Sequence, residues 1–246
     1  MTERSRRRDG SRRRIGLLLV GHVADTSTHI AGDYPELFGA LLGTAEVDLI
    51  RYDLDADRFP ESVDECDGWL VSPSRCSVTD AHGWIASAED LLRELIDRER
   101  PYVGICFGHQ LAARAFGAPV RRADDGWQVG VQDYDVVQTR PWMVPPAGSV
   151  ALIASHEDQV QAVPSNAELL LRSDGCPVAG LTFGDRAWTV QPHPEFVADL
   201  ADDLLRQRID LIGSDKVAAA RASLARPTDS PVVADWIARF FATATI

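Results

Sequence analysis

The sequence predicts an α/β fold with a doubly wound, mostly parallel central sheet flanked by helices. The first reason is IGLLLVG at 15–21, a continuous apolar run followed by a polar loop, as is typical of a strand buried on both faces of a parallel sheet. The second is the alternation of strand, loop and helix through the first half of the chain. The third is a strand-rich second half, which begins near residue 127 and ends in helices.

The elements of the first half follow from local patterns. A helix is predicted over 33–43, because apolar side chains recur at helical spacing behind Asp33, which has the chemistry of an N-cap. Short apolar runs predict strands at 47–52, 67–72 and 102–105, and amphipathic stretches predict helices at 82–100 and 108–116.

Beyond residue 127, strand-like segments alternate with turn signals such as SDG and FGD. The predicted strands lie at 127–137, 149–155, 167–173, 177–183 and 186–192, and the predicted helices at 199–212 and 231–244. Residues 141–148 are interpreted as a loop rather than a domain boundary. We therefore expect one domain over 15–246, preceded by a basic disordered tail over 1–14.

Charge and cysteine content narrow the class of function. The 246-residue chain has a net charge of −12, although residues 1–14 hold seven arginines. The acidic body would repel phosphate backbones, so nucleic acid is not an expected partner. No apolar run is long enough to span a bilayer and no secretory cleavage site follows the basic start, which predicts a cytoplasmic protein without membrane contact. The four cysteines are scattered without a CxxC pair, which predicts reduced thiols and no metal site.

The stretch G-I-C-F-G at 104–108 has the spacing of the nucleophile elbow G-x-S-x-G, with cysteine in place of serine. An apolar strand leads in and a helix leads out, and the dipole at the first turn of a helix favours a thiolate. The backbone N–H of Phe107 would point into the same space and could stabilise an oxyanion. From this spacing alone, Cys106 is either a nucleophile or a small buried apolar residue behind a core strand.

A cysteine nucleophile needs a base, and His193 in WTVQPHPEF is the candidate. A proline on each side of it stops the strand, and in an extended chain residues i and i+2 lie on the same side. The Glu195 carboxylate could therefore orient the imidazole and stabilise its charged form. An isolated histidine at a strand end is more often a structural residue. The pairing with Glu195 and the distant elbow instead favour catalytic roles for Cys106, His193 and Glu195.

Two motifs together, ICFGHQLAARAFG and VQPHPEF, resemble the class I (triad-type) glutamine amidotransferases. The layout is similar to that of stand-alone members, which include proteins like the glutaminase domain of GMP synthase and γ-glutamyl peptidases. GDYPELFGALL, DGWLVSPSRCSV, GWQVGV and SHEDQV fit the same family, and the resemblance covers about residues 15–212. It implies a flavodoxin-like fold, a nucleophile at Cys106, a general base and acid at His193, and Glu195 as the orienting carboxylate.

The resemblance also implies an oxyanion hole made of the backbone N–H groups of Phe107 and Ser74. The family often has glycines in the loop after the third strand, where this chain has Ser-Pro-Ser-Arg at 72–75. Pro73 has no N–H to donate, and Ser74 reaches positive φ less readily than glycine does. Arg75 is either a substrate contact or a surface arginine.

The remaining implied contacts of the substrate are Gln110, Ser155, His156 and Asp158. Gln110 would contact the bound glutaminyl group, and the SHEDQV segment would line the glutamine site. The alternative for that segment is a polar loop between strands, in which Asp158 hydrogen-bonds the turn.

The expected function is hydrolysis of the γ-amide of glutamine through a cysteinyl γ-glutamyl thioester, with no metal or nucleotide cofactor. No phosphate-loop motif is present, so ammonia would pass to a separate synthase subunit or be released. The alternative is a stand-alone γ-glutamyl peptidase that acts on a γ-glutamyl conjugate with the same three residues. A third hypothesis, a catalytically silent binding module, is disfavoured by the intact Cys106, His193 and Glu195.

Overall fold

The computed structural model describes residues 12–43, 45 and 47–244. Residues 1–11, most of the predicted basic tail, lie outside the described residues, and Arg13 and Arg14 belong to the first strand. The strands in chain order are β1 (Arg13–Leu19), β2 (Val47–Asp53), β3 (Gly68–Val71), β4 (Tyr102–Ile105), β5 (Val120–Arg122), β6 (Gln128–Val136), β7 (Ser149–His156), β8 (Asp158–Val160), β9 (Glu168–Arg172), β10 (Gly180–Phe183) and β11 (Ala187–Val190).

Nine of these strands form one sheet, in the order β2-β1-β3-β4-β11-β10-β9-β6-β7. From β2 to β11 the neighbours are parallel, and from β11 to β7 they are antiparallel. β5 and β8 form a separate antiparallel pair. The carboxyl ends of β3 and β4 therefore lie side by side, which is where ligands bind in open α/β sheets.

The helices are α1 (Thr28–Ala31), α2 (Tyr34–Leu41), α3 (Gly83–Asp97), α4 (Phe107–Ala115), α5 (Ala198–Gln207), α6 (Ile209–Ile212), α7 (Ser214–Ser223) and α8 (Ser230–Thr243). They cover both faces of the sheet. Successive side chains of β1 point to opposite faces, and each face packs against a different set of helices. Ile15 and Leu17 pack in a core with α2, α5 and α8, whereas Leu18 packs in a second core with α3 and α4. The predicted α/β fold class is confirmed. No helix in the described part of the chain combines the length and apolarity that crossing a membrane requires.

Asp33 ties the loop after β1 to the start of α2. Its carboxylate accepts a hydrogen bond from the Val23 N–H at 2.9 Å and lies 2.6 Å from Nδ1 of His22. The Asp33 N–H in turn donates to the Glu36 carboxylate at 3.0 Å, which caps the first turn of the helix. The predicted helix start is confirmed, and it brings Tyr34 to the edge of a cavity described below.

An aromatic cluster joins α8 to the sheet. Trp142 stacks on Trp188 with ring centroids 4.5 Å apart, and Phe240 meets Trp142 edge-on at 5.7 Å. The Trp236 Nε1–H donates to the Pro145 carbonyl at 2.8 Å, which satisfies the one polar group of this buried ring. The C-terminal helix therefore covers the core.

Two features of the C-terminal region differ from the sequence prediction. The helix predicted over 199–212 is interrupted at Arg208, which separates α5 from α6 with φ −106° and ψ 14°. The reason is tertiary, because the Arg208 guanidinium bonds Ser155 and lies over Trp127. Helix α7 was not predicted, because it buries only Val217 and Ala220 and so carries no clear apolar stripe.

Replacing Trp236 by alanine should lower the free energy of unfolding by about 3–5 kcal/mol, because the indole is fully buried among other aromatic rings. Urea unfolding followed by circular dichroism measures the change. Leu211→Ala is the matched control, because Leu211 is 72% exposed and the loss there should stay within about 0.5 kcal/mol. Equal losses in the two variants would contradict a core role for α8.

Candidate active site

Cys106 lies on the turn between β4 and α4, at the carboxyl end of the parallel strands. Its backbone has φ 50° and ψ −98°, a conformation that costs a residue with a side chain about 1–3 kcal/mol. The Cys106 N–H donates to the Val190 carbonyl at 2.8 Å, and its own carbonyl accepts from the Gln110 N–H at 3.0 Å. Cys106 is 6% exposed. This strand–turn–helix geometry is the one that the G-x-C-x-G spacing predicts.

The two glycines of the motif are required by close packing. A Cβ on Gly104 would lie 2.4 Å from the Tyr102 hydroxyl and 2.7 Å from the backbone of Gly108. A Cβ on Gly108 would lie 2.9 Å from the Cβ of Val71. The Tyr102 hydroxyl fills the space instead and donates to the Gly108 carbonyl at 2.8 Å. Both glycines therefore allow strand, turn and helix to approach closely enough to hold the strained cysteine.

The structure brings His193 and Glu195 together as their i, i+2 spacing predicts. His193 Nδ1 lies 2.7 Å from Glu195 Oε1, and the two residues are 2% and 3% exposed. The His193 N–H donates to the Ile153 carbonyl at 2.8 Å, and the ring stacks on Phe196 with centroids 4.0 Å apart. Because Nδ1 donates its proton to the carboxylate, Nε2 is the ring atom left for chemistry. The Cys106 side chain interacts with this ring and raises its pKa.

The electrostatics of His193 couple it to the cysteine. Burial lowers the pKa of His193, but the charges of Glu195 and Cys106 outweigh burial and raise the pKa from 6.5 to about 10. The imidazole is therefore favoured in its protonated form at neutral pH. In that form its Nε2 is a proton donor.

A chain of three hydrogen bonds leads from a backbone carbonyl to the Cys106 sulfur. Gln110 Nε2 donates to the Asp158 carbonyl at 2.7 Å and to Gln191 Oε1 at 3.1 Å. Gln191 Nε2 in turn lies 3.5 Å from Cys106 Sγ. Because the carbonyl can only accept, the direction of the whole chain is fixed, and Gln191 presents a donor to the sulfur. Gln110 is left with its Oε1, so it can accept a hydrogen bond from a substrate.

The loop after β3 carries the second predicted oxyanion donor. The Ser72 hydroxyl accepts from the Val20 N–H at 3.1 Å and donates to the Pro73 carbonyl at 3.0 Å, which anchors the loop. The Ser74 hydroxyl accepts from the Cys76 N–H at 3.1 Å. Ser74 and Phe107 line the same cavity as Cys106. The structure thus brings the two predicted donors to one site, and their role stays a prediction.

A cavity of about 620 Å³ opens beside Cys106. The predicted substrate contacts all line it, namely Gln110, Ser155, His156 and Asp158. The Asp158 carboxylate accepts from the Ser77 hydroxyl at 2.5 Å, which joins the loop after β3 to the predicted SHEDQV segment. A narrower cavity of about 20 Å³ lies on the His193 side and shares Ser74, Arg75, Ser155 and Arg208 with the larger one.

His156 is held neutral in this cavity. Burial, followed by the charge of His193, lowers its pKa from 6.5 to about 3. His156 Nδ1 lies 3.1 Å from the Asp158 carbonyl, so this nitrogen carries the proton. His156 Nε2 is then an acceptor, and it is buried without a hydrogen-bond partner among the described residues. The ring can therefore accept a hydrogen bond from a ligand.

The potential metal-ligand atoms of Cys76, Asp80 and His82 lie within 4.8 Å of one another. Asp80 and His82 are exposed, all three residues come from one short loop, and Cys76 and Asp80 line the large cavity. The sequence did not indicate this grouping, and we assign no metal to it.

Four residues of the site were not identified from the sequence. Tyr34 and Arg208 line the narrow cavity, Trp127 lines the large one, and Gln191 contacts the sulfur. Gln191 had a local signal, because it lies two residues before His193 where β11 ends. Arg208 had no such signal, because a helical sequence pattern does not indicate which polar side chain enters a site.

A model of the class I glutamine amidotransferases matches residues 39–210, which is well over half of the chain. The chain belongs to this family. Among similar members is γ-glutamyl peptidase 5 of Arabidopsis thaliana, 29% identical over 227 residues that make up 85% of this chain and 88% of that protein. One of the subunits of the glutamine-hydrolysing GMP synthase of Pyrococcus furiosus is 30% identical over 129 residues, 52% of this chain and 68% of that protein.

The fold of this amidotransferase-family chain also matches solved structures. A glutamine amidotransferase of Thermotoga maritima superposes with a TM-score of 0.72 over 93% of this chain and 96% of that one. The two sequences are 16% identical, so this likeness concerns the fold alone.

Replacing Gln191 by methionine should slow alkylation of Cys106 by iodoacetamide about tenfold at neutral pH. The variant keeps the size of the side chain but removes the donor to the sulfur, and a hydrogen bond to a charged group contributes about 1.5–3 kcal/mol. Gln138→Met is the matched control, because its amide bonds the Leu169 carbonyl, outside the cavity. An unchanged alkylation rate in Gln191→Met would contradict a role for this donor.

Replacing Glu195 by glutamine should change the pH dependence of Cys106 alkylation. The substitution removes a negative charge that raises the pKa of His193, so the imidazole loses its proton at lower pH. At neutral pH the alkylation rate should fall at least about tenfold, whereas the parent chain should keep its rate into the alkaline range. Glu89→Gln, a buried carboxylate on α3 that pairs with Arg93 and Arg114, serves as the control. Superimposable pH profiles for Glu195→Gln and the parent would rule out this electrostatic coupling.

Proposed function

We propose that the chain hydrolyses γ-glutamyl amides, with free glutamine as the simplest substrate, through a thioester on Cys106. The observation that carries the proposal is the strained Cys106 at the end of β4, electrostatically coupled to the buried His193–Glu195 pair. Strain of this kind persists where the surrounding structure enforces it, as it does at functional sites. Membership of the class I amidotransferases supports the same chemistry.

The first half of the reaction forms a sulfur–carbon bond. The Cys106 thiolate attacks the γ-carbon of the substrate, and the oxyanion is held by the N–H groups of Phe107 and Ser74. His193 passes its Nε2 proton to the amide nitrogen, the carbon–nitrogen bond breaks, and the amine leaves. Acylation removes the charge on the sulfur that helps to raise the pKa of His193. The imidazole can therefore remain neutral and act as a base in the next step.

The second half hydrolyses the thioester. Neutral His193 takes a proton from water, whose oxygen attacks the γ-carbon. Collapse of the tetrahedral intermediate breaks the sulfur–carbon bond, releases glutamate and restores the thiolate beside a protonated imidazole. Glu195 keeps the ring oriented through both steps. The chain's own residues supply the nucleophile, the proton carrier and the oxyanion donors.

The γ-glutamyl group would lie in the part of the large cavity that Gln110, His156 and Asp158 line. Gln110 Oε1 and His156 Nε2 are both acceptors, and Asp158 supplies a carboxylate, so this end suits the α-ammonium group of the substrate. The Ser155 hydroxyl bonds Arg208 at 3.1 Å and so helps to shape the wall. These residues orient the substrate so that its γ-carbon meets the sulfur.

Two fates of the amine fit this chemistry. In one, the substrate is glutamine and ammonia passes to a separate synthase, as similarity to the Pyrococcus furiosus GMP synthase protein suggests. In the other, the substrate is a γ-glutamyl conjugate and the chain acts alone. The second is supported by similarity to γ-glutamyl peptidase 5 along most of both chains. It is also supported by a cavity of about 620 Å³, a size that holds ligands larger than one amino acid.

Replacing Cys106 by alanine should lower release of glutamate from glutamine and from γ-glutamylalanine at least about a thousandfold. Glutamate is measured with each substrate in the absence of any other protein, and an acid quench followed by mass spectrometry detects the thioester on the parent chain. Cys66→Ala, which removes a buried cysteine from the core that contains α3, should keep its activity. Equal turnover by parent and Cys106→Ala would overturn the proposal. Absence of any turnover and of any adduct in the parent would favour a binding module.

A further inference from the structure

A single lysine side chain connects helix α7 to the wall of the large cavity. Lys216 is the only lysine of the chain and is exposed on α7. Its Nζ donates to the Asp125 carbonyl at 2.8 Å and to the Trp127 carbonyl at 3.1 Å. These carbonyls lie on either side of Gly126, which turns the chain with a φ of 68°. An ammonium group carries three donors on one nitrogen, so it can bond both carbonyls at once. Lys216 therefore fixes the backbone of the turn that carries Trp127.

Trp127 belongs to the wall of the large cavity, which also contains Cys106. The centre of its ring lies 5.3 Å from the guanidinium carbon of Arg208, and Arg208 in turn donates to the Ser155 hydroxyl at 3.1 Å. An indole offers a large, rigid apolar face for a ligand to pack against. A shift of the turn would therefore displace an aromatic face of the site and the arginine that lies over it.

Helix α7 is a firm support for this contact, because it is docked closely on β6, the strand that follows directly after Trp127. The Ser223 hydroxyl accepts from the Val131 N–H at 2.8 Å. A Cβ on Gly130 would lie 2.9 Å from the Cα of Ala220, so the backbones of strand and helix nearly touch at this point. The position of Lys216 relative to the turn is thus set by the packing of α7, outside the site.

We propose that Lys216 is a positioning residue of the active site, because it holds Trp127 where the indole binds the substrate in the large cavity. This inference rests on the proposed γ-glutamyl hydrolysis and adds a determinant of substrate binding. Lys216 lines neither the large cavity nor the narrow one, so it acts through the turn without touching the substrate. A wall that contacts substrate and transition state alike contributes uniform binding. Loss of its position should therefore weaken binding without slowing the chemistry at Cys106.

Replacing Lys216 by methionine should raise KM at least about threefold and leave kcat unchanged, because the variant keeps an unbranched side chain but removes the charged donors. Glutamate release is measured with glutamine and with γ-glutamylalanine. Lys216→Arg keeps a cation with several donors and should restore KM to within about twofold of the parent value. Arg221→Met is the matched control and should keep the parent KM. Arg221 is an exposed arginine of the same helix that pairs with Asp202 and lines neither cavity.

A double variant tests whether the effect of Lys216 passes through the indole. In a Trp127→Ala chain, the addition of Lys216→Met should change KM by less than about twofold, because the ring that Lys216 positions is already absent and the two effects do not add. An unchanged KM in Lys216→Met, or the same increase in KM with and without the indole, would overturn this inference while leaving γ-glutamyl hydrolysis intact. Absence of turnover by the parent would overturn the proposed function together with it. Unchanged iodoacetamide labelling of Cys106 verifies that the variants are folded.

Discussion

The strained backbone of Cys106 is the constraint on which the rest of the site depends. Its positive φ places the sulfur at the carboxyl edge of the sheet. Hydrogen bonds and close packing around the turn hold this strained conformation. The Cys106 N–H donates a hydrogen bond to β11, and the Cys106 carbonyl accepts one from α4. The absence of a side chain at Gly104 and at Gly108 lets these elements close on the turn. The packing of the central parallel strands therefore determines the position of the Cys106 sulfur.

Burial makes the charges of the site depend on one another. The imidazole of His193 would be neutral in an apolar environment, yet the charges of Glu195 and Cys106 favour its protonated form. Opposite charges separated from water interact strongly, so Glu195 first and the Cys106 sulfur second influence the protonation of the ring. One histidine can then be a proton donor before acylation and a proton acceptor after it. Gln191 adds a neutral donor that remains when the ring has lost its proton.

The parts that the sequence predicted well are those that local pattern encodes. Apolar runs located β1, β4 and β11, and the G-x-C-x-G and P-H-P-E spacings located Cys106, His193 and Glu195, because strand, turn and i, i+2 geometry act over a few residues. The parts that it missed depend on contacts between distant segments. Gln191 reaches the sulfur 85 positions away, and Arg208 reaches Ser155 from 53 positions away. The pattern places Gln191 near His193, but it does not identify the partner of Gln191 or of Arg208.

The interruption of the helix at Arg208 shows how this limit bears on function. An unbroken helix over 199–212 would satisfy local propensity, and the structure departs from it at the one residue that reaches into the site. Such a departure needs compensation from tertiary contacts, and here these are the Ser155 hydroxyl and the Trp127 ring. Burial lowers the pKa of Arg208, whereas the charge of Cys106 raises it, so the guanidinium lies within electrostatic reach of the reactive sulfur. Local pattern thus locates the catalytic residues, whereas contacts between distant segments build the wall of the site around them.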